Sequence, residues 1–87
     1  MPSYKKILKK LINSNISLST AESCTGGLLA YSFTKYKDSS KFFKCGYITY
    51  SNQSKVKNLN VKKMILNKYG AVSKNIAEEM VEGLYLK

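Results

Sequence analysis

The chain has 87 residues, which leaves room for one small domain and excludes several. Apolar residues make up 44% of it and charged residues 23%, a balance that indicates a globular protein and excludes a disordered one. The net charge of +10 comes from lysines without any arginine, the residue suited to bidentate contacts with guanine and phosphate, and this disfavours specific nucleic-acid binding.

The cysteines and the lengths of the apolar runs indicate in which compartment of the cell the protein resides. Cys24 and Cys45 are too few for a disulfide scaffold and too far apart for a CxxC motif, so we expect free thiols in a reducing environment. No uninterrupted apolar run approaches the roughly 18 residues of a membrane span. We therefore predict a cytoplasmic protein that does not interact with a membrane.

The first predicted element is an amphipathic helix that Ser3 can cap. Its lysines occupy one face, and its apolar residues recur at helical spacing on the other. These apolar residues are Tyr4, Ile7, Leu8, Leu11 and Ile12. We interpret them as a core-facing stripe and not as a membrane-binding one. The polar segment 13–15 ends the helix.

A strand–helix–strand unit is predicted next. Apolar residues alternate with serines over 16–20, as in a short strand. The turn T-A-E-S-C-T-G-G at 20–27 leads into an apolar helix over 28–36, and residues 42–50 are rich in the aromatic and β-branched residues of a second strand. This order predicts a βαβ unit with parallel strands and a right-handed crossover.

Three further helices are predicted after the second strand. Ser51 or Asn52 caps one that runs to Leu59, and the next ends at Gly70 in the left-handed cap conformation. Ser73 caps the last helix. The apolar face of that helix consists of Ile76, Ala77, Met80, Val81 and Leu84.

The predicted fold class is α/β, an incomplete three-layer α/β/α arrangement built on a parallel βαβ unit plus C-terminal helices. Two parallel strands by themselves leave exposed edges and uncovered faces. Either a partner chain completes the sheet, or the sequence is part of a larger domain.

Ser23 and Lys55 are the candidate catalytic pair. The chain has no histidine, which excludes activation of a nucleophile by imidazole within it. The ends of parallel strands meet at one edge of a sheet, so Ser23 and the segment 50–55 should converge there. An uncharged Lys55 could then act as the base for Ser23. Taken by itself, Lys55 has the features of an ordinary solvated lysine.

The turn that carries Ser23 leaves alternatives open. Its two glycines could present N–H groups to a phosphate or an oxyanion, or could form a tight connection without a ligand. Glu22 could orient a hydroxyl, neutralise Lys55 or cap a helix. Cys24 is a competing nucleophile. No metal site is predicted, because the chain has no histidine, two scattered cysteines and one aspartate.

Three segments resemble the C-terminal domain of the CinA, or competence/damage-inducible, family. They are A-E-S-C-T-G-G-L-L-A at 21–30, S-S-K-F-F-K-C-G-Y-I-T-Y-S-N-Q-S-K at 39–55 and Y-G-A-V-S at 69–73. The resemblance implies a cytoplasmic bacterial domain that hydrolyses the carboxamide of nicotinamide mononucleotide, which gives nicotinate mononucleotide and ammonia. It also implies that no metal or organic cofactor is needed and that the domain is often oligomeric or fused to a second one.

The same resemblance assigns roles to residues. Ser23 would be the nucleophile and Lys55 its base. The residues expected at the oxyanion or phosphate end and around the pocket are Thr25, Gly26, Gly27, Tyr50 and Asn52.

The resemblance extends over residues 1–87 of this chain, and these residues correspond to only about the first half of the family domain. The family's later Gly/Pro-rich loop and remaining strands are absent, and Asn60 stands where the family usually has glycine, a mild change because asparagine tolerates the left-handed region. We therefore predict a truncated member that is inactive by itself.

Two other interpretations of the whole chain remain open. One is a non-enzymatic basic module that binds RNA or acidic partners through its lysines. These are Lys5, Lys6, Lys9, Lys10, Lys35, Lys37, Lys41 and Lys44. The other is a degenerate reading frame whose product folds poorly.

Overall fold

The structure is a computed structural model that describes residues 4–87, and the side chain of Tyr4 lies outside that description together with the predicted cap Ser3. Within this part the chain forms two strands and five α-helices. They are α1 (Tyr4–Asn13), β1 (Leu18–Glu22), α2 (Leu28–Thr34), β2 (Phe43–Ile48), α3 (Asn52–Leu59), α4 (Lys63–Tyr69) and α5 (Lys74–Tyr85), with a 3-10 turn at Ser39–Lys41. The order confirms the predicted α/β class. No helix among these residues is both long and apolar enough to cross a bilayer.

The two strands pair in parallel, as predicted, with Ser19 opposite Cys45 and Glu22 opposite Ile48. The first strand begins two residues later than expected. Its pairing starts where the Leu18 N–H donates to the Phe42 carbonyl (2.8 Å), so Ile16 lies outside the sheet and is exposed. Glu22 is consequently the last strand residue, and Ser23 follows it directly at the carboxyl edge of the sheet.

Short-range hydrogen bonds set the ends of the later helices. Ser51 Oγ accepts from the Ser54 N–H at the start of α3, and Ser73 Oγ accepts from the Ile76 N–H at the start of α5. Asn60 ends α3 with a φ of 55°. Gly70 ends α4 with a φ of 79° and a ψ of 162°, and this ψ lies outside the predicted left-handed cap conformation.

The main core lies between α3, α4 and α5 and includes Leu59, Val61, Leu66, Ile76 and Met80. At Gly83 the helix α5 approaches the end of α3 so closely that a Cβ would overlap the carbonyl oxygen of Leu59. This contact fixes the position of α3, the helix that carries Lys55.

The outer faces of several helices are not covered within residues 4–87. No residue of α2 is buried, and Leu28 and Tyr31 are exposed on it. On α5, Ala77 and Val81 were expected in the core, yet both are exposed. The helices therefore bury only part of the apolar surface that their sequences predict.

Candidate active site

The predicted pair is in hydrogen-bond contact at the carboxyl edge of the sheet. Ser23 follows β1, and Lys55 lies in the first turns of α3, which begins shortly after β2. Lys55 Nζ donates to Ser23 Oγ at 3.0 Å. The contact joins residues 32 positions apart in sequence, and it exists because both strands end on the same side of the sheet.

Lys55 is buried, with only 1% of its surface exposed, so it is not the solvated lysine that its residue type alone suggests. Its ammonium also donates to the carbonyl oxygen of Tyr50 at 3.1 Å. In the part of the chain that the structure describes, Lys55 forms no ion pair with a carboxylate. Both of its partners are neutral oxygens, so an uncharged amine could keep its bond to Tyr50 while its lone pair accepts the Ser23 proton.

Glu22 caps the helix that follows the turn. Its side chain is only 5% exposed, and its carboxylate accepts from Thr25 Oγ1 (2.6 Å) and from the N–H groups of Gly27 (3.0 Å), Leu29 (2.9 Å) and Ala30 (3.0 Å). Burial raises the pKa of the Glu22 carboxyl, but these four hydrogen bonds outweigh that effect and hold its pKa below its ordinary value. Of the three roles open to Glu22, the structure shows two: Glu22 caps the helix and binds the hydroxyl of Thr25, whereas Lys55 Nζ donates to Ser23 and Tyr50.

The contacts of Glu22 determine which backbone N–H groups of the turn at 20–27 remain available to a ligand. Gly27 uses its N–H on Glu22, and Gly26 donates its N–H to the Ser23 carbonyl at 3.1 Å. Both glycines have positive φ, 56° and 115°, which this tight turn requires. Among the described residues, the N–H groups of Cys24 and Thr25 form no hydrogen bond with the protein. The N–H of Ser23 likewise forms no hydrogen bond among the described residues, so three successive donors of the turn, at Ser23, Cys24 and Thr25, remain available.

A cleft of about 600 Å³ opens next to the pair, a volume within the range of small-molecule sites. Residues 21–25 of the turn and Lys55 line it, together with Val72, Ala77 and Val81, whereas the two glycines of the turn do not. Tyr50 lies at the rim with 73% of its surface exposed. Asn52 is not brought to this cleft, because it lies at the start of α3 and lines a separate hollow.

The remaining candidate residues give no metal site. Cys24 is exposed and lines the cleft beside Ser23, whereas Cys45 is exposed on β2. Over residues 4–87 there is no group of three or more His, Cys, Asp or Glu side chains that could hold a metal ion.

Sequence reasoning missed the α5 side of the cleft. Ala77 and Val81 follow the core period of α5, so their pattern predicts burial. Their spacing of four residues on one helix face does show that they lie together, but only the path of the chain brings that face opposite Ser23.

Comparison with known proteins supports the resemblance along almost the whole chain. Residues 2–87 match the protein-family model described as the CinA C-terminal domain. Among curated proteins, the putative competence-damage inducible protein of Clostridium novyi (strain NT) is 57% identical over 76 residues, which cover 87% of this chain and 18% of the relative. That of Acetivibrio thermocellus is 51% identical over 76 residues, with the same coverage.

Solved structures give the same result for the fold. A competence-damaged protein (CinA) superfamily member from Escherichia coli superposes with a TM-score of 0.85 at 41% identity, over 90% of this chain and 45% of that one. A competence/damage inducible protein from Agrobacterium tumefaciens gives 0.89 at 38% identity, over 94% of this chain and 50% of that one. The chain thus spans less than a fifth of these curated relatives and about half of these solved structures.

Proposed function

Because this chain belongs to the CinA C-terminal domain family, we propose that Ser23 and Lys55 are the catalytic pair of an amidohydrolase that acts on nicotinamide mononucleotide. The observation that carries the proposal is the 3.0 Å hydrogen bond between Lys55 Nζ and Ser23 Oγ beside an open cleft. An amine in contact with a serine hydroxyl can replace the imidazole of other serine hydrolases.

The reaction begins when Ser23 Oγ attacks the carboxamide carbon of the substrate. Lys55 Nζ takes the hydroxyl proton, the new C–O bond forms, and the carbonyl electrons move to the oxygen. When the intermediate collapses, the C–N bond breaks and the nitrogen leaves as ammonia with the proton from Lys55. Water then attacks the carbonyl carbon of the Ser23 ester and gives one proton to Lys55. The C–Oγ bond breaks, Lys55 returns that proton to Oγ, and the acid leaves and releases its remaining proton to solvent as nicotinate mononucleotide forms.

The oxyanion of this intermediate needs donors close to Oγ. The unused N–H groups of Cys24 and Thr25 are suited to that role because they lie in the same turn and contact no protein acceptor within the described residues. Gly26 and Gly27 would hold the turn in shape, and Tyr50 would contact the substrate from the rim. Asn52 has no place in this arrangement.

We also propose that residues 1–87 correspond to the first half of the family domain and are inactive by themselves. About half of each solved relative lies outside the matched region. The exposure of Val72 supports this proposal, because this residue lines the cleft and yet is almost fully exposed. A pyridine nucleotide bound here would contact the protein on too few sides to be held for reaction.

Ammonia release from nicotinamide mononucleotide tests the activity. The chain is assayed alone and together with a polypeptide that contains the unmatched half of the Agrobacterium tumefaciens protein. We expect activity only in the mixture, and a loss of roughly 10³-fold or more with Ser23→Ala or Lys55→Met, because each change removes half of the pair.

Two controls make this assay specific. Lys57→Met changes an exposed lysine on the same helix and should leave the rate unchanged. Cys24→Ala distinguishes the two neighbouring candidate nucleophiles, because ammonia release should continue in this variant if Ser23 is the nucleophile and stop if Cys24 is. Ammonia release that persists in both the Ser23→Ala and the Lys55→Met variants would exclude the pair as the catalytic one.

A further inference from the structure

Two buried threonines of the sheet have a hydroxyl group that is not hydrogen-bonded. Among the described residues, Thr20 Oγ1 and Thr49 Oγ1 are the buried side-chain oxygens without a partner. Thr20 is 5% exposed and Thr49 is 1% exposed, so water reaches neither of them freely. An unpaired buried hydroxyl destabilises the folded state, and it stops doing so when a donor reaches it.

The Thr20 hydroxyl lies on the face of the sheet that packs against α2. A Cβ added at Gly46, the residue opposite Thr20 on β2, would meet Thr20 Oγ1 at 3.2 Å and the Cβ of Ala30 at 3.3 Å. Ala30 is part of α2. The Thr20 hydroxyl is therefore enclosed between the sheet and a helix that does not carry Lys55.

Thr49 lies on the other face, beside Ser23. Ala21 and Tyr47 are paired across the sheet, and both pack against the core between α3, α4 and α5. Side chains alternate along a strand, so the residues two positions further on, Ser23 and Thr49, share that face. The Thr49 N–H donates to the Glu22 carbonyl at 2.9 Å, so the two chains still run side by side here. Thr49 is thus the neighbour of Ser23 across the sheet.

The amine of Lys55 contacts both neighbours of Thr49 and has one donor to spare. A protonated lysine has three N–H groups. Two of them bond to Ser23 Oγ at 3.0 Å and to the carbonyl of Tyr50, the residue after Thr49, at 3.1 Å. Within residues 4–87 the third N–H has no acceptor, although Lys55 is as deeply buried as Thr49. A buried donor without an acceptor therefore lies close to a buried acceptor without a donor.

We infer that Thr49 is a positioning residue of the proposed reaction, and that its hydroxyl accepts the third N–H of Lys55 when the amine holds the Ser23 proton. The inference rests on the proposed function, because that reaction produces the charged amine. Thr49 Oγ1 has no partner in the structure, so the bond adds stabilisation as charge develops on Lys55 and favours the transition state over the resting protein. Thr49 does not line the cleft, so it acts through Lys55 and not on the substrate.

Three variants test the inference in the ammonia-release assay of the mixture. Thr49→Val removes the hydroxyl and keeps the shape, Thr49→Ser keeps the hydroxyl, and Thr20→Val is the matched control on the α2 face. At high pH, where the resting amine is uncharged, we expect kcat of Thr49→Val to fall about three- to tenfold with an unchanged KM, because Lys55 becomes a weaker base. For the same reason the rate should reach its plateau at a lower pH. Thr49→Ser and Thr20→Val should keep the parent's profile.

The other titratable groups that line the cleft are Glu22, Cys24 and Tyr50. They are the same in all three variants, so a change that follows only the Thr49 hydroxyl cannot come from them. Thr49→Val should also melt at or above the Tm of the parent chain, because it removes an unpaired buried hydroxyl.

A second measurement needs no activity. NMR of the chain alone, with an isotope label at the lysine Cε atoms, follows the proton affinity of the Lys55 amine, whose signal is the one that Lys55→Met removes. This affinity should fall about tenfold in Thr49→Val, since the ammonium loses a charge-assisted hydrogen bond. It should be unchanged in Thr49→Ser and in Thr20→Val.

The two measurements separate this inference from the proposed function. Ammonia release that requires Ser23 and Lys55 but is unchanged in Thr49→Val overturns the inference alone. If the mixture releases no ammonia, the proposed function fails, and the proton affinity of Lys55 decides about Thr49. An affinity that is unchanged in Thr49→Val, or that falls as much in Thr20→Val or Thr49→Ser, overturns the role of the hydroxyl.

Discussion

At the scale of single residues, Glu22 determines how the turn that carries Ser23 is held. Its carboxylate satisfies three N–H groups at the start of α2 and the hydroxyl of Thr25, so the positive end of this helix is neutralised within the protein. Ser23 is the next residue in the chain. The proposed nucleophile is therefore attached to a cap that the protein forms with its own groups.

The first prediction concerns the pH dependence that follows from this cap. The folded-state pKa of Glu22 lies below its unfolded value, so its contribution to stability is present above that unfolded value, about 4.3, and is lost as the pH falls through the folded pKa. Glu22→Gln should lower the free energy of unfolding at pH 7 by about 1–3 kcal/mol, because a neutral amide accepts fewer of these bonds.

Urea denaturation at pH 7 and at pH 3 measures this effect. The stability difference between the parent chain and Glu22→Gln should be smaller at pH 3 than at pH 7, because the lowered pKa of Glu22 makes its contribution decline as the pH falls. Glu78→Gln serves as the control, since Glu78 is an exposed carboxylate in an i,i+4 pair, and we expect it to change stability by less than about 0.5 kcal/mol. A difference for Glu22→Gln that is the same at both pH values would contradict the prediction.

The second prediction separates stability from activity at Lys55. Lys55→Met replaces a buried amine by an apolar chain of similar length, so the free energy of unfolding should stay the same or rise by about 1 kcal/mol. Thermal and urea denaturation of the chain test this without an activity assay. A loss of stability of more than about 2 kcal/mol would mean that the amine mainly supports the fold.

At the scale of elements, the contact between α5 and α3 depends on Gly83. A Cβ at this position would overlap the Leu59 carbonyl, and this backbone atom cannot move without shifting the end of α3. Our third prediction is that Gly83→Ala lowers stability by about 1–3 kcal/mol, although alanine is the better helix former by about 1 kcal/mol.

Circular dichroism melts of Gly83→Ala and Asn75→Ala check this prediction, since Asn75 is exposed on the same helix. Asn75→Ala should leave stability unchanged or improve it slightly. If Gly83→Ala were the more stable variant, helix propensity would outweigh packing and the close approach of the two helices would be excluded.

The elements also show which features the sequence could predict. The caps Ser51 and Ser73 depend on bonds within three residues, so local pattern was enough to find them. The start of β1 depends on the Phe42 carbonyl across the sheet, which the pattern at 16–20 cannot show.

For the site, the parallel strands and the resemblance to the family together predicted that Ser23 and Lys55 would meet. The four bonds of Glu22 and the exposure of Val81 depend on how the backbone turns and on which faces are covered, and no residue spacing contains that information.

At the scale of the whole molecule, the lysine excess predicts how the chain interacts with polyanions. Helix α1 exposes Lys5, Lys6, Lys9 and Lys10, the residues of the alternative RNA-binding interpretation. Our fourth prediction is weak, sequence-independent binding to single-stranded RNA, with a slope of log K against log salt of roughly −3 if these four lysines each neutralise a phosphate.

A salt titration with homopolymer RNAs measures that slope, and replacement of the four lysines by glutamine should flatten it. Binding that distinguishes between RNA sequences, or that persists at high salt, would contradict the prediction, because contacts between lysines and phosphates do not depend on sequence and weaken as salt rises.

The contact at Gly83 also bears on the proposed reaction. Since α5 rests directly on the end of α3, and α3 holds the amine of Lys55 3.0 Å from the Ser23 oxygen, a displacement of α5 would change that distance. In the proposed mechanism, the packing of α5 would thus determine for what fraction of the time the amine is within reach of the serine proton.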